Sequence, residues 1–493
     1  MKKLISLLLV FCLLLPFAAT AEENAPGAGV QDNLSVTKHT AEIAGKTFDY
    51  TATTGTMVMD TALGQYEIFF IAYTADGMED LSERPVTFAF NGGPGSASLW
   101  LNLGLLGPEK IALSPEGMAE QVPTGTKPNE NSILDLTDLV FIDPVGTGYS
   151  RALPGTDAQT FYGYENDIAS VGDFIRQYVT RCGRWESPKY LAGESYGTTR
   201  AVGVCDYLQK TYHLALNGLL LVSTANDFGA LEATPGNEMP YIHYLPSFAA
   251  TAWYHKKAAE QYLDMELEAF LEEAKRFAAG EYASALYQGT RLAAEERESL
   301  AEKMAGIIGL DQDYILKHNL RVSMENFCTE LLSDQKLVCG RIDSRYTGPA
   351  VEGDLDDGTG DPSSLGVNEA FAAAMNQYVT QELKYMTDRP YEVLSLAVNG
   401  SWQFGSDNAA ITQEDVIRNC MSSNRFLKVR VVCGYYDLAT PFYGAEWVYS
   451  HLFLNGDLEK NLTFSHYPAG HMFYLLESNL AAFRKDAEAW FAE

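Results

Sequence analysis

The sequence predicts an α/β fold, a mostly parallel sheet flanked by helices and interrupted by a largely helical insertion. Two textures predict the sheet and the insertion. Short apolar runs, "PVTFAF", "TDLVFIDP", "SPKYLAG", "LNGLLLVS" and "LKVRVVCG", each end in glycine, proline or polar residues, and several are separated by helical stretches. Such runs fit strands buried on both faces, whose functional loops lie at their carboxyl ends. Between about Gly229 and Val398 the rhythm changes: "EQYLDMELEAFLEEAKRFAAGEYASALY" and "AEERESLAEKMAGIIG" place apolar residues at three- and four-residue spacing, the pattern of amphipathic helices.

The chain begins with "MKKLISLLLVFCLLLPFAATAEE": lysines at 2 and 3, an apolar run from Leu4 to Phe17, and small residues at Ala19 and Ala21. This is the pattern of a secretory signal peptide cut after Ala21. No later run approaches the roughly 18 apolar residues of a membrane span. The expected product is a secreted or periplasmic protein with no membrane insertion after signal cleavage. From Thr40 to about Phe90, "YTATTGTMVM" and "YEIFFIAYTA" concentrate β-branched and aromatic residues between turn signals, which predicts antiparallel strands. The expected organisation is a signal peptide over 1–21, the N-terminal part of the core over 22–228, a helical cap insertion over 229–398 and the C-terminal part of the core over 399–493.

The formal charge of −30 repels phosphate backbones and anionic headgroups, so nucleic acid is excluded as a partner. Removing Cys12 with the signal leaves six cysteines, of which Cys328 and Cys339 are close enough in sequence to predict a local disulfide. No pair of histidines or cysteines has zinc-ligand spacing, and no metal or organic cofactor is implied. "DLDDGTGD", Asp354 to Asp361, is the densest acidic turn, but its glycine is misplaced for a calcium loop, and a solvated loop is expected.

The chemistry-bearing pattern is Gly193-Glu194-Ser195-Tyr196-Gly197, directly after the strand candidate "KYLA" and before a helical stretch starting near Thr198. A serine on a tight strand-to-helix turn is exposed as a nucleophile, and flanking glycines admit the close approach of neighbouring backbone. A serine hydroxyl needs a base to take its proton and a carboxylate to orient that base. In this architecture the chain order is serine, acid, histidine. Asp437 follows the buried-strand signal "VRVVCG", and His471 lies in the turn "YPAGHMFY", so Ser195, Asp437 and His471 stand in the required order. His466, the nearest rival, sits within the strand-like "LTFSHYP". A second glycine-rich run, "FNGGPGSASLW", follows "PVTFAF"; the backbone N–H groups of Gly93 and Tyr196 are the expected oxyanion donors.

Together with "LGPEKI", "FIDPVGTGYS", "GRIDSRYTG", "GYYDLATP" and "GHMFY", these segments span nearly the whole chain in order. They resemble the serine carboxypeptidases, a lineage of the α/β-hydrolase fold. The resemblance implies removal of C-terminal residues from peptide substrates through an acyl-enzyme, with Ser195, Asp437 and His471 as the triad. It implies that Asn91, the Gly92 backbone and Glu194 hold the substrate's terminal carboxylate. Glu194 can do so only in its protonated form, so activity is expected to favour acidic pH. The chain departs from the family at Ala89, where tryptophan is frequent, at Ser96, where cysteine is common, and near Leu105, where a second glutamate often joins the carboxylate network. An esterase or acyltransferase on the same scaffold is the alternative, since the same acyl-enzyme forms from esters. A silent binding protein is disfavoured by the intact serine, aspartate and histidine.

Overall fold

A computed structural model describes residues 31–118, 123–350, 360–364, 367–405 and 411–492. The signal-peptide segment and most of "DLDDGTGD" lie outside these residues. The described chain from Asp32 forms one compact unit.

Three long strands, β1 (Asn33–Ile43), β2 (Lys46–Thr61) and β3 (Gly64–Ala75), form an antiparallel meander. Six further strands follow: β4 (Val86–Phe90), β5 (Asp138–Ile142), β6 (Lys189–Ser195), β7 (Gly218–Thr224), β8 (Lys428–Gly434) and β9 (Leu462–Tyr467). Their spatial order is β1-β2-β3-β5-β4-β6-β7-β8-β9, and a short strand at Arg151–Ala152 pairs with β3. From β5 to β9 every neighbouring pair is parallel. The apolar runs that predicted a parallel sheet are these strands; β4, β5 and β7 are buried along their whole length.

Both faces of the sheet are covered, which is why alternation is absent from these runs. On one face, helices α1 (Tyr164–Arg181) and α2 (Tyr196–Tyr212) pack with α3 (Met239–Tyr254) in one apolar core. On the other, Tyr73, Phe141 and Val432 pack against Phe371 and the C-terminal helix Glu477–Ala492.

The stretch 229–398 is not uniform. Helices Leu267–Phe277, Ala294–Ile308 and Met324–Glu330 join the core that contains α3, whereas helix Val367–Gln377 joins the opposite face. A two-stranded antiparallel ribbon, Leu337–Cys339 with Thr347–Pro349, lies between them and has no counterpart in the sequence reading.

The expected Cys328–Cys339 disulfide is not formed. Both thiols are free and buried. Cys328 sits on helix Met324–Glu330 with its sulfur 3.8 Å from Met324 Sδ, one turn back on the same helix, so nearness in sequence does not join it to Cys339 on the ribbon. The other four cysteines among the described residues are also free, and of the six Cys182 alone is exposed.

Candidate active site

The parallel strands deliver the predicted residues to their carboxyl ends. Ser195 ends β6 and immediately precedes α2, which begins at Tyr196 rather than near Thr198. Its backbone angles are φ 59° and ψ −131°, a conformation disfavoured for any side-chain-bearing residue, at a cost of order 1–3 kcal/mol. The tight turn is possible because the residues two positions away on either side lack side chains. A Cβ on Gly193 would lie 2.2 Å from Gly197 O, and one on Gly197 would lie 2.7 Å from Phe90 O. Thr198 secures the turn, donating to Ser195 O at 2.7 Å while accepting from Ala225 N at 3.0 Å.

Asp437 follows β8 and is fully buried. Its Oδ1 accepts from Ala439 N at 2.7 Å and Thr440 N at 2.8 Å, and its Oδ2 accepts from Thr440 Oγ1 at 2.7 Å. The same Oδ2 lies 2.7 Å from His471 Nδ1. An aspartate committed in this way keeps the histidine proton on Nδ1 and leaves Nε2 free as the base. Burial lowers the basicity of His471, but the charge and hydrogen bond of Asp437, with the charge of Glu194, raise it above the ordinary imidazole value. His466 is elsewhere, on β9, 3.0 Å from Glu446.

Ser195 and His471 line one cavity of about 970 Å³, with Asn91, Gly92, Gly93 and Tyr196 in its wall. Among the described residues no hydrogen bond joins the Ser195 hydroxyl to His471; such bonds are often long before substrate binds and tighten in the complex. The glycine run lies hard against the nucleophile turn: a Cβ on Gly92 would meet Tyr196 N at 2.5 Å and Gly197 N at 2.6 Å. Asn91 Oδ1 accepts from Leu101 N at 3.0 Å, which orients its amide.

Glu194 is buried and lines the same cavity. Burial pushes its carboxyl up to about 7, against the opposing pull of His471, Tyr474 and Asn91. The Tyr474 hydroxyl lies 2.8 Å from Oε2 and 3.1 Å from Oε1. Gly104 makes room for that ring, since a Cβ there would lie 2.4 Å from Tyr474 Cε2. Leu105, on the same turn, is buried and supplies no second carboxyl.

Several supporting residues have roles that the sequence reading did not assign. Ser223, at φ 51° beside a register shift in β7, donates to the backbone carbonyl of His471 at 2.7 Å. The segment "GRIDSRYTG" buttresses the histidine turn from the other side. Ile342 O accepts from His471 N at 2.7 Å, and Asp343 Oδ2 accepts from Gly470 N at 2.9 Å. Arg345 clamps Asp343 through two nitrogens at 2.9 and 2.5 Å. The strap after Tyr391 closes the outside of the glycine run: Ser395 N donates to Gly95 O at 2.8 Å and Asn399 Nδ2 to Pro94 O at 3.0 Å.

Among the described residues no cluster of three or more His, Cys, Asp or Glu is placed to hold a metal, and no helix is long and apolar enough to cross a membrane.

Comparison with known proteins places this geometry in a family. The pheromone-processing carboxypeptidase KEX1 of Yarrowia lipolytica is 29% identical over 205 residues, which cover 40% of this chain and 29% of that protein. The human retinoid-inducible serine carboxypeptidase is 26% identical over 171 residues, covering 33% of this chain and 34% of that protein. The chain thus spans about a third of the length of these relatives. Among solved structures, that of KEX1(delta)p, a prohormone-processing carboxypeptidase from Saccharomyces cerevisiae, superposes with a TM-score of 0.58 at 16% identity, covering 89% of this chain and 91% of that one, a likeness of fold. The family model for serine carboxypeptidases matches residues 45–473, most of the sequence, and the chain therefore belongs to the serine carboxypeptidase family.

Proposed function

We propose that the chain is an exported serine carboxypeptidase that removes C-terminal residues from peptides. The observation that carries the reading is the buried Glu194 carboxyl, held up to about 7 next to a strained serine, with a carboxylate-oriented histidine on the same cavity. In the chemical step His471 Nε2 takes the Ser195 proton as Oγ bonds to the scissile carbonyl carbon. The oxyanion is held by the N–H groups of Gly93 and Tyr196. His471 then returns the proton to the leaving nitrogen, the C–N bond breaks, and the terminal residue departs. Water, activated by the same imidazole, releases the acyl group.

Protonated Glu194, Asn91 and the Gly92 N–H receive the terminal carboxylate of the leaving residue. Burial next to a second anion favours the shared proton, so the site selects a free C-terminus below neutral pH. The leader pattern at residues 1–21 supports a secreted or periplasmic location.

The test is mass spectrometry of a defined peptide mixture, each peptide supplied as free acid and as C-terminal amide. Sequential loss of single C-terminal residues from the free acids, with slow cleavage of the amides, is the expected result. Equal cleavage of both, or internal cuts, contradicts the carboxypeptidase reading and favours a broader hydrolase.

A further inference from the structure

Behind the nucleophile turn lies a cation that the chemical steps above do not use. Arg200, in the second turn of α2, is fully buried. A guanidinium taken out of water is costly unless its N–H groups and charge are met. Here Nε donates to Asp167 Oδ2 at 2.8 Å, and Nη1 donates to the backbone carbonyl of Asn91 at 2.5 Å. Asp167 is itself buried, on α1. The guanidinium carbon lies 5.5 Å from the ring centre of Phe90 and 5.2 Å from that of Tyr196. These are the residue before Asn91 and the residue after Ser195. One ion therefore ties α1, the end of β4 and the start of α2 together, at the point where the glycine run meets the nucleophile turn.

The fork of a guanidinium suits this task because it reaches two acceptors in fixed directions at once; an ammonium is a point charge that does not reproduce the pair of bonds. The Asn91 carbonyl it holds belongs to the peptide unit that carries the Gly92 N–H. Fixing that carbonyl fixes the direction of the Gly92 N–H on the opposite edge of the same peptide plane, and with it the backbone from which the Asn91 side chain, its amide oriented by Leu101 N, reaches the cavity.

We infer that Arg200, anchored by Asp167, is a positioning residue that sets the orientation of Asn91 and Gly92 and thereby the grip on the substrate's terminal carboxylate. The inference rests on the carboxypeptidase reading, in which Asn91 and Gly92 contact that carboxylate. It differs from a purely structural role, in which the buried pair contributes to folding and leaves selectivity untouched.

Three variants test it. Arg200→Lys keeps the charge and loses the fork. Asp167→Asn keeps the shape and loses the anchoring charge. Arg200→Met with Asp167→Leu removes both charges together, a replacement that folded proteins often tolerate. Each is measured by thermal melting, by the rate of Ser195 labelling with a small neutral phosphonate, and by kcat/KM on one peptide as free acid and as amide. The expected result is that folded variants lose about ten- to a hundredfold of the free-acid preference, through KM, while labelling changes far less. The Lys variant should retain more preference than the double variant. Folded variants with wild-type preference would overturn the inference, as would failure of all three to fold. If the wild-type enzyme shows no free-acid preference, the carboxypeptidase reading itself fails, and this is seen before any variant is compared.

Discussion

Ser195→Ala should lower kcat roughly 10⁶-fold on any substrate the enzyme turns over, while leaving melting little changed. In the proposed mechanism the hydroxyl is the atom that bonds to the scissile carbon, and no other group stands in for it. Its removal leaves the oxyanion donors and the binding wall in place, so a residual rate above that in water is expected. Stability should be little changed, because the φ of 59° belongs to the backbone turn and persists in the variant, whose alanine keeps the Cβ. Covalent labelling by a serine-directed phosphonate, read by intact mass, should vanish. Persistent labelling at another serine would show that the nucleophile lies elsewhere.

Asp437→Asn should cost about 10⁴-fold in kcat, for a reason legible in its hydrogen bonds. The Oδ1 position accepts two backbone N–H groups, at 2.7 and 2.8 Å, so an asparagine must place its oxygen there. Its NH₂ then occupies the Oδ2 position and points an N–H at His471 Nδ1, now 2.7 Å from a carboxylate oxygen. The imidazole responds by carrying its proton on Nε2, facing Ser195, where a lone pair is needed. Steady-state kinetics with kcat falling far more than KM changes would support this. A loss of less than tenfold would indicate that Asp437 does not orient the base.

How far the site could be read from sequence depends on whether a residue's role leaves a local pattern. The strands did, because burial on both faces produces continuous apolar runs. Ser195 did, because a strained turn requires glycines on either side. Asp437 and His471 were found through chain order together with their places after a buried strand and within a Pro-Gly turn. The roles of the supporting residues left no such trace. Ser223 acts through a hydroxyl to a carbonyl 248 positions away, and Asp343, although it stands in the recognised segment "GRIDSRYTG", acts through the amide of Gly470, a role that its motif does not spell out. Tyr474 stands in a recognised motif, yet its bond to Glu194 depends on the opening left by Gly104. The cysteine pairing was not legible either: Cys328 is carried on a helix and Cys339 on a ribbon strand, so their spacing along the chain does not set whether the two sulfurs bond.

The most direct test is the pH dependence of the ratio of kcat/KM for a peptide acid to kcat/KM for its amide. Ionisation of His471 affects both substrates alike and cancels from the ratio, leaving the group that meets the carboxylate. On the proposed function, Glu194, its carboxyl pushed up to about 7 by burial, donates to the substrate while protonated and repels the substrate carboxylate once charged. The expected ratio is high and level in acid and falls by about tenfold per pH unit above 7. In Glu194→Gln, which has no proton to lose, the ratio should be level throughout. A wild-type ratio that stays constant from pH 5 to 9, or one whose fall persists in Glu194→Gln, would contradict this role of Glu194.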